Sequence, residues 1–150
     1  MSYIITGKRG AYEPRSKQFA IDGVNAVVAA TKIDDRGMRT VRRQKTRDTF
    51  AKTFAPLWGD GGAPQAAVFA SVGNRDDVTL ILKLSNPSFN ANSGTLTFTA
   101  EQVPPADGAA ASGGAAKQLV QEVAKSGSWL RAVSRVNMVD PVVVIDGRSQ

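Results

Sequence analysis

Two stretches decide the fold: Asp77–Ser85, D-V-T-L-I-L-K-L-S, and Gly94–Val103, G-T-L-T-F-T-A-E-Q-V. In the first, Val78, Leu80, Leu82 and Leu84 alternate with Thr79, Ile81, Lys83 and Ser85. In the second, Leu96, Phe98 and Ala100 alternate with Thr95, Thr97, Thr99 and Glu101. Side chains of an extended chain point to opposite faces in turn, so a period of two predicts a strand buried on one face. Between them, Asn86-Pro87 predicts the end of the first strand, since proline cannot donate to a ladder.

Working outward, Gln65–Val72 reads as an apolar strand leading through the turn Gly73–Asp76 into this hairpin. Ser2–Thr6 and Lys17–Ile21 read as strands, with Gly7-Lys8-Arg9-Gly10 as a turn between the glycine breakers. Asp22-Gly23 predicts a tight hairpin into a strand over Val24–Ile33. Asp34–Gly37 predicts another turn, and Met38–Arg43 a short strand with Met38, Thr40 and Arg42 on one face and Arg39, Val41 and Arg43 on the other. Phe50, Phe54 and Leu57 fall at helical spacing, which predicts a helix over Thr46–Leu57. After Pro104-Pro105, the Gly/Ala/Ser stretch 106–116 predicts a flexible loop, and Lys117–Lys125 a helix. Trp129–Val136 fits either helix or strand, so a helical insertion is expected at about 117–136; Pro141–Asp146 is the closing strand. The sum is a single mainly β domain over 1–150: an antiparallel β-sandwich or barrel with one or two short helices.

The chain has 150 residues, 19 Lys+Arg against 13 Asp+Glu, and neither cysteine nor histidine. Disulfides, thiolate nucleophiles, Cys/His metal sites and imidazole acid–base chemistry are thereby excluded. Met1–Thr6 lacks a basic region followed by an apolar stretch, which predicts no signal peptide and a chain cytoplasmic at synthesis or part of a particle. The apolar runs are too short for a transmembrane segment. The charge is one-sided. Residues 1–53 carry twelve Lys/Arg and five Asp/Glu, a net +7, while the remainder is close to neutral. Arg36, Arg39, Arg42, Arg43, Lys45 and Arg47 put six cations in twelve residues. Such a strip suits phosphates or carboxylates, by charge and by the bidentate hydrogen bonds of guanidinium. Set against this is a solvated loop, or arginines paired with carboxylates inside the chain or on a neighbouring subunit.

The other motifs are weaker. Gly7–Gly10 lacks the spacing and following helix of a phosphate loop. Asn90–Gly94 has no carboxylate in calcium-ligand positions. Asp34-Asp35 and Asp76-Asp77 sit in predicted turns, where aspartate bonds its local backbone. No cofactor, metal or catalytic residue is expected. Trp58 and Trp129 are expected to pack in the core. Trp129, Leu130 and Val133, following the flexible stretch, offer a second reading as a docking surface.

The motif order resembles an uncharacterised β-rich domain family of bacteria and algae. It runs YIITGKRGAYEP, AIDGVNAVV, DDRGMRTV, FAKTFAPLW, APQAAVF, DDVTLILKLSNPSFNANSGTLTFTAE and VVVIDG. That family has a D-R-P turn, an F-x-x-x-W helix, an E-L-x-N-P-x-Y-D hairpin and a closing F-I-D strand. The resemblance covers roughly residues 3–103 and 141–147 and is most specific over Leu84–Thr99. Gly37 replaces the family's proline, Gln65 its asparagine and Phe89-Asn90 its tyrosine-aspartate, while 106–140 reads as an insertion. The resemblance implies a β fold, carries no activity or site, and is to proteins that are usually exported.

Two function classes follow as expectations. The first is a non-enzymatic structural or assembly protein, a self-associating homo-oligomer with a basic contact face. The alternative is a module that binds nucleic acid or another polyanion.

Overall fold

A computed structural model describes residues 2–33, 35–50, 64–103 and 129–146. The chain is mainly β, as its alternation predicts, and of the two expected architectures it adopts the barrel. Among the described residues nine strands form one sheet: β1 (Ser2–Thr6), β2 (Arg9–Glu13), β3 (Gln18–Asp22), β4 (Val27–Ile33), β5 (Arg39–Lys45), β6 (Gln65–Val72), β7 (Arg75–Asn90), β8 (Thr95–Gln102) and β9 (Val136–Asp146). The spatial order is β2-β3-β8-β7-β6-β9-β1-β4-β5, every neighbouring pair antiparallel. A further pairing of β2 with β9 closes the first six into a barrel. β1, β4 and β5 continue the sheet from β9 as a wing.

Both features depend on β9. Along one edge its first half pairs with β2 (Tyr12↔Val136, Gly10↔Met138) and its second with β1 (Thr6↔Val142, Ser2↔Asp146). Between the halves, Asp140 takes a left-handed conformation (φ 51°) and Pro141 follows. Here the pairing with β6 steps from Ser71↔Val139 to Phe69↔Val142. One extra residue reverses the parity of the strand: the buried set is Val136 and Met138 before the bulge, and Val143 and Ile145 after it. Opposite, the chain breaks between β1 and β2 at Gly7-Lys8, where Gly7 N–H donates to Pro141 O (3.2 Å) and Asp140 N–H to Lys8 O (3.0 Å). The expected turn Gly7–Gly10 is therefore only this two-residue step; Arg9 and Gly10 already belong to β2.

Asn86-Pro87 does not end its strand. β7 runs to Asn90, and its pairing with β8 shifts from Ser85↔Thr99 to Ser88↔Thr97 across a bulge at which Asn86 has φ 51°. A bulge accommodates proline, because the extra residue needs no ladder partner. Asp22-Gly23 is likewise not a hairpin: β3 lies between β2 and β8, and β4 pairs with β1 and β5. Of the expected helix Thr46–Leu57, the described residues hold a single turn, α1 (Thr46–Asp48). Residues 129–135 are not helical. They form an isolated parallel bridge, Thr79↔Trp129, and then irregular chain up to β9. The expected loop 106–116, helix 117–125 and Trp58 lie outside the described residues.

Side chains fill the barrel, as a six-stranded barrel requires. Phe19, Ile21, Leu80, Leu82, Leu84, Leu96, Phe98 and Ala100 are buried in one cluster with Tyr12, Met138, Val143 and Ile145. Phe98 lies between Phe19, stacked at 6.3 Å, and Phe50, edge-on at 5.6 Å. The wing adds Tyr3, Ile5, Val28 and Ala30 to the same core. A second, smaller cluster joins Ile81 to Phe69, Val103 and Trp129; in the alternation of β7, Ile81 takes the opposite face from Leu80 and Leu82. No described helix is long and apolar enough to cross a membrane.

Candidate functional site

The cationic strip is the outermost strand of the wing. All seven residues of β5 pair with β4, from Ile33↔Arg39 to Val27↔Lys45. Directly opposed residues of an antiparallel pair share a face, so the buried residues of β4 identify the faces of β5. Val28 and Ala30 oppose Gln44 and Arg42, which puts Thr40, Arg42 and Gln44 on the core-facing side. Arg39, Val41, Arg43 and Lys45 share the outer face with Ala29, Thr31 and, through β1, Ile4. The structure thus confirms the division of faces expected from the alternation, with the strand displaced by one to two residues from Met38–Arg43 to Arg39–Lys45.

Every residue of β5 except Gln44 is exposed. Arg36 lies exposed in the turn before the strand and Arg47 exposed in α1 after it. Arg39, Arg42, Arg43, Lys45 and Arg47 make no ion pair among the described residues, where the one salt bridge joins Lys17 and Glu101 on the barrel. Pairing of those five inside the described chain is therefore absent. Val41 is 63% exposed, and Ile4 40%.

The end of the strip is held in place. Thr46, fully buried, donates from Oγ1 to Asn25 O (2.6 Å) and from its N–H to Ala26 O (2.9 Å). Thr49 Oγ1 reaches Lys45 O (3.0 Å) and Gln44 Oε1 (3.1 Å). The Thr46 bonds tie the chain after β5 to the segment entering β4, and the Thr49 bonds tie it back to the end of β5, so the cations stand on a fixed edge. Beside Arg43, residues Asn25–Ala29 line an open groove of about 440 Å³.

The structure scatters the second expected site. Trp129 is half-buried against Ile81 and Phe69, Leu130 packs on the main core, and Val133 is 80% exposed. Gln102 explains this: its Oε1 accepts from Ala132 N–H (2.7 Å), its Nε2 donates to Leu130 O, and Leu130 N–H donates to Thr79 O (3.0 Å). Sequence reasoning had no signal for Gln102 as the anchor, because an isolated glutamine carries no spacing pattern. Asp76 and Asp77 are exposed at the start of β7, and no group of three metal-ligating side chains occurs among the described residues.

Comparison with protein-family models, with curated proteins and with solved structures gave no match.

Proposed function

We propose that this chain is a non-enzymatic binding module that meets a polyanion along β5. One observation carries the reading: Arg39, Arg42, Arg43, Lys45 and Arg47 are exposed on and beside one edge strand, without an ion-pair partner among the described residues. A guanidinium on a fixed strand is neutralised by an incoming anion with little ordering of the backbone, and each phosphate so contacted releases its condensed counterion. The absence of cysteine and histidine from the sequence supports the non-enzymatic part.

A self-associating subunit is the second reading, favoured by the exposed Val41 and Ile4 on the outer face of the wing. Use of the strip in that contact calls for carboxylates on the neighbouring copy, for which Asp76 and Asp77 are adjacent and exposed.

Light scattering on the eluting protein, with the ratio of absorbance at 260 and 280 nm, tests both. The polyanion reading expects bound nucleic acid or retention on heparin at low salt, and fails if heparin, DNA and RNA all pass unretained. The assembly reading expects a mass above one chain, and fails if the protein stays monomeric at high concentration.

A further inference from the structure

We infer that the polyanion is an acidic, extended polypeptide segment that adds as a further strand to the edge of β5 that no described strand pairs. The inference rests on the reading of β5 as an anion contact and goes further by naming the partner and its geometry.

The barrel closes on itself through β2 and β9, so among the described residues the sheet ends at β5. β5 pairs with β4 along one edge, and no strand among the described residues pairs with the other. Such an edge leaves a row of backbone N–H and C=O groups open to another chain, and strand addition uses these for affinity and alternate side chains for specificity.

The charge pattern selects the occupant. Arg39, Arg43 and Lys45 share the outer face, with Val41 between the first two. An added strand has the same rise per residue as β5, so carboxylates at alternate positions of the segment come into line with these cations, and the residues between them turn to the other face. A second copy of β5 fits badly. An antiparallel pairing centred on Arg42 would place Arg42 against Arg42 and Arg39 against Lys45, and like charges directly opposed destabilise a sheet. Nucleic acid fits less well. Neither β4 (VVAATKI) nor β5 (RTVRRQK) carries an aromatic ring for base stacking, and an oligonucleotide leaves the row of backbone groups unused.

The test uses three labelled probes at low salt: an eight-residue peptide alternating Glu and Val, the same peptide with every backbone nitrogen methylated, and a single-stranded oligonucleotide of equal charge. The unmodified peptide should bind at least tenfold more tightly than its methylated copy, which keeps the charge and loses the strand hydrogen bonds. It should also slow amide exchange within 39–45. The Arg39→Glu, Arg43→Glu variant, with unchanged circular dichroism, should lose this peptide and accept one alternating Lys and Val. Equal binding of the two peptides, or tighter binding of the oligonucleotide, overturns strand addition and leaves the polyanion reading standing. Binding of none of the probes overturns both.

Discussion

At the scale of single residues, the joint between wing and barrel depends on the absence of a side chain. A Cβ on Gly7 would collide with Ile21 Cγ2 and lie 2.9 Å from Asp22 O, a backbone atom that cannot move without shifting β3. Gly7→Ala should lower the unfolding free energy by about 1–3 kcal/mol, as overpacked sites do, read from urea denaturation with unchanged slope. The Lys17–Glu101 pair, 2.7 Å apart, is exposed on the barrel. The hydrogen bond from Lys17 holds the Glu101 carboxyl below its ordinary value of 4.5, and the same bond raises Lys17 above 10.5. A depressed carboxyl contributes stability above its unfolded-state value, lost as pH falls through the folded one; a raised amine contributes below 10.5 and loses its share as pH rises. Glu101→Gln should therefore be slightly less stable than the parent at pH 7, with the difference shrinking as the pH is lowered below 4.5, measured by denaturant midpoint. Screening keeps the effect small. The alternation of Leu96, Phe98 and Ala100 was legible in the sequence. Gly7 as a joint was not, because two glycines three apart read as one turn until β9 is seen to bulge against them.

At the scale of elements, the bulges at Asn86-Pro87 and Asp140-Pro141 each let a proline sit within a long strand, while the sequence reading ends a strand at the first and begins one at the second. The parity change shows where this happens: Leu84 and then Phe89 face the core in β7, Met138 and then Val143 in β9. Both apolar patterns were present in the sequence, but the frame shift between them was hidden by the proline. Segment 129–132 was ambiguous for a different reason, since its conformation is set by Gln102 from another strand. Gln102→Ala should free Arg131–Ser134, seen as faster amide exchange there with β6–β8 unchanged. Gln102 N–H also donates to Tyr12 Oη (3.1 Å), and burial raises the Tyr12 phenol, with that bond opposing the rise. Tyr12→Phe should cost about 1 kcal/mol, the usual size for one intramolecular hydrogen bond, read by thermal or urea unfolding.

At the scale of the molecule, five of the nine pairings among the described strands join strands that are not consecutive in sequence, and β9, at the end of the described chain, seals the barrel and carries the wing. Strand content was legible locally; closure was not, because it depends on which edges meet. The basic strip was equally visible as a run of charge, and folding gave it a place: the outermost described strand of the wing, anchored at one end by Thr46, with Arg39 and Arg43 on one face and Arg42 on the other. The central claim is that this edge is the contact surface. A short DNA duplex, used as a charge probe and titrated from 20 to 200 mM salt, tests it most directly. The slope of log K against log salt should be shallower for the Arg39→Ala, Arg43→Ala variant by about 0.9 per cation removed, nearly 2 in all. An unchanged slope would place the contact elsewhere and contradict the account.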